Sequence, residues 1–121
     1  LRDENEALDF YTPVIIANEP KLKDDPELVK KFLKACSKGY EFAIKNPEEA
    51  GEILINNVPD LDKDLVMASQ KYLADEYQAD APRWGEMKRE VWEKYANFMF
   101  ENNLIEENID PEQAFTNDFL P

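Results

Sequence analysis

A mainly α-helical fold, with four to five helices and one short N-terminal strand, follows from three features of this 121-residue chain. Apolar residues recur at three- and four-residue spacing along most of its length, the period of a helix with one buried face. Only three glycines occur, and β-branched residues are sparse outside two short runs. Three times an Asp or Asn precedes Pro and then Glu: Asp25-Pro26-Glu27, Asn46-Pro47-Glu48 and Asp110-Pro111-Glu112. Each reads as an N-cap, a proline at the first helical position and an acid at the positive helix end. Their unequal spacing excludes a repeat array.

The chain is of a length that forms one domain with a single core, and residues 1–121 are read as such. Hydrophobic residues make up 43% and aromatics 12%, too apolar for a disordered chain. Net charge is −13 and unevenly placed: Lys21 to Lys45 holds seven Lys against four acids, the remainder seven basic against 23 acidic residues. That balance excludes nucleic acid as a partner, since phosphate contacts need a basic face. No apolar run approaches the roughly 20 residues that cross a bilayer. The chain begins at Leu1 rather than Met, so a processed or excised origin, exported proteins included, stays open.

Residues 1–9 carry charge without periodicity and read as a loop. Val14, Ile15 and Ile16 follow Pro13, the pattern of a short buried strand. A lone strand leaves its backbone groups wanting a partner. It pairs with another copy, giving a homodimer through the N-terminal strand, or folds back on the helices, or its sheet lies outside this chain. Residues 19–25 form a polar connector with one helical turn around Leu22. The next helix, from Pro26, carries a stripe of Leu28, Phe32, Cys36, Tyr40 and Ala43, widened by Val29, Leu33 and Ile44. Glu27–Lys31 and Glu41–Lys45 stand in the favourable acid-first order. A second helix from Pro47 continues the stripe through Ala50, Ile53, Leu54 and Val58. Gly39 and Gly51 lie inside these helices at a cost of about 1 kcal/mol each, either for close approach of another backbone or as local weak spots. Asp62 caps a third helix, with Leu65, Ala68, Ser69, Tyr72, Leu73 and Tyr77 on one side. Pro82 and Gly85 punctuate a loop that holds Trp84. A fourth helix runs from about Glu86 to Asn102 on Met87, Val91, Tyr95, Phe98 and Met99, stopped near Asn103. A short turn from Asp110, with Gln113 placed for a capping box, precedes the apolar pair Phe119 and Leu120.

Chemistry is thin. Histidine is absent, and Cys36 is the only cysteine, which removes the usual base, internal disulfides and thiolate metal clusters. Asp60, Asp62 and Asp64 alternate as in a calcium loop, but the sixth position lacks Gly and the twelfth is Lys71. Glu48, Glu49 and Glu52 lack the histidines of a di-metal bundle. No metal or other cofactor and no enzymatic turnover are expected. Phe10, Tyr11 and Trp84 differ from the core aromatics by lying at element ends in Pro-flanked segments, where a flat heterocyclic ligand stacks. For Tyr11 core packing and ligand stacking are equally open, and Trp84 leans to the core.

The pattern Ala17-Asn18-Glu19, Asp25-Pro26-Glu27-Leu28-Val29, Phe32 with Ala35, Gly39-Tyr40 and Asn46-Pro47-Glu48-Glu49-Ala50 resembles the C-terminal part of bacterial ABC-transporter substrate-binding proteins. Trp84-Gly85-x-Met87, Trp92, Asn103-Leu104-Ile105 and Phe115-Thr116-Asn117-x-Phe119-Leu120-Pro121 extend the likeness to nearly the whole chain. The branch it is most similar to handles the pyrimidine precursor of thiamine. The resemblance implies a C-terminal fragment of a type II periplasmic-binding-protein α/β fold, with residues 1–20 an inter-lobe crossing strand and 21–121 helical. It also implies a small-molecule solute in the cleft, an ABC permease as partner and an extracytoplasmic location. Phe10, Tyr11, Thr12 and Trp84 are then the substrate-binding candidates. Two other functions remain: a stand-alone acidic helical interaction module, and a synthase of the thiamine pyrimidine.

Overall fold

The structure, a computed structural model, describes residues 9–121; the loop expected at the N-terminus falls almost wholly outside these. Among the described residues there are six helices: α1 (Glu19–Asp24), α2 (Pro26–Lys45), α3 (Pro47–Asn57), α4 (Lys63–Glu76), α5 (Arg89–Glu101) and α6 (Pro111–Ala114). The mainly helical reading holds. No strand is present among them, which corrects the expectation for Val14–Ile16. Those three side chains are exposed, Ile16 at 87%. A β-branched run becomes a strand only when a neighbour completes its hydrogen-bond ladder, and local propensity cannot supply one.

The described residues divide into two compact units. In one, Pro26–Glu86 with Leu120–Pro121, helices α2, α3 and α4 pack mutually. In the other, the described residues up to Asp25 join Met87–Phe119, and α5 packs on α6.

Helix ends are set by local chemistry. Asn18 Oδ1 accepts from the Lys21 N–H at 3.0 Å and opens α1, a full helix where the sequence suggested one turn. Asp62 Oδ1 accepts from Leu65 N–H at 2.9 Å and opens α4. Asp110 opens α6 by accepting from Glu112 N–H at 3.0 Å. The expected capping box is altered there, because the Gln113 amide donates to the Asp110 carboxylate instead of reaching back to its N–H. Asn46 occupies the N-cap of α3, but its side chain donates to the Phe42 carbonyl and so closes α2. Asn103, at φ 55°, ends α5 in a Schellman motif: Leu104 N–H donates to Met99 O and Asn103 N–H to Phe100 O.

Packing of α2 departs from the stripe expected. Ser37 is buried and Val29, Leu33, Cys36, Ala43 and Ile44 half-buried, whereas Leu28 and Phe32 are exposed at 48% and 54%. Both edges of the stripe were apolar, and the helical period alone cannot say which edge meets α3 and α4. Likewise Glu27 pairs with Lys30 at 3.5 Å, one residue short of the expected Lys31.

The two helical glycines separate cleanly. A Cβ on Gly51 would stand 2.6 Å from Met67 Sδ and 3.9 Å from Gln70 Cβ, so here the backbone of α3 closes on α4. A Cβ on Gly39 would meet nothing within 4 Å. Thermal or urea unfolding of the two alanine variants therefore separates them. Gly39→Ala gains about 0.5–1 kcal/mol by helix propensity, and Gly51→Ala gains less, because the flexible Met67 thioether has to give way.

Candidate functional site

The candidate residues Phe10, Tyr11 and Thr12 belong to the unit built on α5. Trp92 and Tyr95 stand one helical turn apart on α5 and present neighbouring rings. Phe10 stacks on Tyr95 with ring centroids 4.3 Å apart, and Tyr11 lies tilted against Trp92 at 6.4 Å. Phe115 closes the row by stacking on Trp92 at 5.6 Å, the planes within 4° of parallel. The Tyr11 hydroxyl accepts the Lys88 backbone N–H at 2.8 Å, which ties the N-terminal segment to the entry of α5. Phe10 and Tyr11 are half-buried and Thr12 is exposed.

Two polar details complete this cluster. Asn117 Oδ1 accepts from Met87 N–H at 3.0 Å while its Nδ2 donates to Met87 O at 2.8 Å, so one amide satisfies both backbone groups, as a β partner would. The Trp92 indole Nε1 is buried without a hydrogen-bond partner. An unpaired buried N–H costs about 1–3 kcal/mol and marks a donor with spare capacity. In the sequence, Trp92 and the Phe115-Thr116-Asn117 run stand out only as parts of the family likeness.

Trp84 belongs to the helical-bundle unit. It is half-buried, in line with the lean to core packing, because its ring stacks on Tyr40 at 4.6 Å. Tyr40 in turn meets the edge of Tyr77 at 5.0 Å. The loop is held by Arg83, whose Nη1 donates to Pro121 O at 2.9 Å and whose Nε donates to Glu86 at 2.8 Å. Gly85, at φ 83°, adopts the left-handed backbone that glycine tolerates, and Leu120 Cδ2 packs 3.1 Å from where its Cβ would be. Tyr77 OH donates to Gln70 Oε1 at 2.8 Å, and Gln70 Nε2 donates to Ala43 O at 3.2 Å, joining α4 to α2. A shallow recess of about 600 Å³ opens in this unit at the start of α3, between Lys45, Glu48, Lys71 and Asp75, away from Trp84. No group of three or more metal-ligating side chains occurs among the described residues.

Residues 1–50 match the NMT1/THI5 like family model. A riboflavin-binding protein of Chloroflexus aurantiacus is 28% identical over 88% of the chain and 32% of its own length. A formylaminopyrimidine-binding protein of Halalkalibacterium halodurans is 24% identical over 96% of the chain and 40% of its own length. A 4-amino-5-hydroxymethyl-2-methylpyrimidine phosphate synthase of Legionella pneumophila is 30% identical over 95% of the chain and 33% of its own length. The chain is thus similar to a segment of NMT1/THI5-like proteins, and the resemblance read from the sequence holds. It spans a third to two fifths of the length of these relatives. The expectation of no enzymatic turnover is corrected: the Legionella relative and others carry a synthase's name, so likeness extends to catalysts as well as binders. That expectation had rested on the absence of histidine and of any cysteine besides Cys36, which a chain spanning a third to two fifths of its relatives' length does not decide.

Burial, and secondarily the neighbouring Tyr40, pushes the Tyr77 phenol above its usual value. The folded state then favours neutral Tyr77, and this stabilisation is complete below about pH 10, the ordinary tyrosine value. It is lost as pH rises through the raised folded value. Unfolding free energy measured from pH 8 to 11 falls with pH, and Tyr77→Phe flattens that fall while costing about 0.5–1.5 kcal/mol at pH 8 for the bond to Gln70. In the other unit, Asn117→Ala leaves both Met87 backbone groups unpaired and lowers stability by about 1–3 kcal/mol in urea titration.

Proposed function

We propose that this chain is the C-terminal segment of a two-lobed protein that recognises a thiamine pyrimidine precursor, and that Phe10, Tyr11 and Thr12, in the unit built on α5, contact the ligand; Trp84, in the bundle unit, is a separate candidate. In its full length the protein acts as an extracytoplasmic solute receptor, and ligand binding shifts an open–closed equilibrium that an ABC permease reads. Shared ligand chemistry carries the reading. Two relatives matched over nearly the whole chain are named for aminopyrimidines, one as a binder of formylaminopyrimidine and one as a synthase of 4-amino-5-hydroxymethyl-2-methylpyrimidine phosphate. The riboflavin relative is named for another flat heteroaromatic ring. Such ligands are held by aromatic faces, and the row from Tyr11 through Trp92 to Phe115, with the unpaired indole N–H, supplies faces and a donor.

The synthase-named relatives support a second reading, in which the full-length protein makes the pyrimidine phosphate. One set of measurements separates the two. Calorimetric titration of the full-length protein with formylaminopyrimidine, 4-amino-5-hydroxymethyl-2-methylpyrimidine, riboflavin and taurine gives saturable binding for the pyrimidines, weakened at least about tenfold by Tyr11→Ala. Flat titrations with both pyrimidines sink the receptor reading. Mass-spectrometric detection of pyrimidine phosphate made without added pyrimidine establishes the second.

A further inference from the structure

The peptide that joins Met87 to Lys88, at the entry of α5, is gripped at both ends. Its carbonyl, Met87 O, accepts from Asn117 Nδ2 at 2.8 Å, and its N–H, that of Lys88, donates to the Tyr11 hydroxyl at 2.8 Å. Asn117 Oδ1 also accepts from the Met87 N–H at 3.0 Å, which fixes the preceding peptide. A peptide unit is planar and trans, so its carbonyl and N–H point in opposite directions and turn only together. Holding the carbonyl therefore aims the N–H. A bonded carbonyl also polarises its amide, which strengthens the bond made by the N–H. This peptide precedes the first helical residue, Arg89, and so lies outside the hydrogen-bond ladder of α5.

We propose that Asn117 is a positioning residue of the candidate ligand site: through the Met87–Lys88 peptide it sets where Tyr11 stands. The proposal deepens the reading of Tyr11 as a ligand contact and rests on it. Residues 9–18 form no helix or strand, so the pose of Tyr11 depends on its anchors. These are the hydroxyl bond to Lys88 and the ring, tilted 38° against Trp92 with centroids 6.4 Å apart. Phe115, two residues before Asn117, stacks on the same Trp92 at 5.6 Å. Between them Thr116 Oγ1 accepts from the Asp118 N–H at 3.1 Å and pins the turn that carries Asn117. One short stretch supports Trp92 directly and aims Tyr11 through a backbone amide. Contacts between flat rings depend on tilt and offset, so a residue that need not touch the ligand acts on its affinity.

A double-mutant cycle on the full-length protein tests this, with 4-amino-5-hydroxymethyl-2-methylpyrimidine as the titrant. Tyr11→Phe and Asn117→Ala each weaken binding about fivefold, and the double variant also loses about fivefold rather than about 25-fold. Additive losses overturn the proposal, because Asn117 then acts by a route other than Tyr11; no loss from Asn117→Ala overturns it too. Asn117→Asp keeps the shape and the acceptor but has no donor for Met87 O. It gives the same loss, and it serves where the alanine variant fails to fold. Asn108→Ala removes a different amide bond of this unit, to Asn97 at 2.9 Å, and leaves affinity unchanged; an equal loss there marks a general effect and overturns the proposal. A readout without ligand is the Lys88 amide proton resonance in lysine-labelled protein. It moves upfield in Tyr11→Phe and in Asn117→Asp, and an unmoved resonance in Asn117→Asp overturns the clamp. Flat titration of the unaltered protein discards the pyrimidine, and the Lys88 resonance then decides whether Asn117 positions Tyr11.

Discussion

The bundle unit depends on the mutual packing of α2, α3 and α4. At Gly51 of α3 the Met67 thioether of α4 rests where a side chain would begin. With α4 held there, Gln70 comes within reach of the Ala43 carbonyl and Tyr77 within reach of Gln70, so α2 is joined to α4 by a short polar chain. Tyr77 then offers its edge to Tyr40, and Tyr40 a face to Trp84. The placement of a candidate ligand residue is in this way traceable to a run of polar and ring contacts between α2 and α4.

The α5 unit is organised differently, around rings and backbone amides. Asn117 and the Tyr11 hydroxyl satisfy successive backbone positions at the entry of α5, Met87 and Lys88. These bonds bring both ends of the unit onto the helix that carries Trp92 and Tyr95. Phe10 and Tyr11 are therefore structural and candidate binding residues at once: Phe10 gives its ring to Tyr95, and Tyr11 its ring to Trp92 and its hydroxyl to Lys88. Such double use is common where loops carry function on a scaffold.

Element starts were legible because capping is local. Asp62 and Asp110 each act on a backbone N–H two or three residues ahead, so position in the chain suffices. Asn103 could be read as a stop for the same reason, its left-handed backbone being one that Asn tolerates. Legibility failed where the answer lay on another element. Asn46 sits where a cap should be, yet its amide turns back to Phe42. Phe10 and Tyr11 could be singled out from their Pro-flanked setting, whereas Asn117 and the indole N–H of Trp92 could not, because their meaning depends on residues about 25 to 80 positions away.

From the chain by itself came the helical class, the helix starts and stops, the acidic balance with its one basic stretch, and the likeness to proteins that handle thiamine's pyrimidine. All of these follow from interactions over a few residues or from composition. Tertiary structure alone decided which edge of the α2 stripe is packed, that Val14–Ile16 remains unladdered, and which of the two helical glycines marks a close approach. Burial and pairing are relations between distant segments, and a periodic pattern with two apolar edges suits either face until a neighbour occupies one.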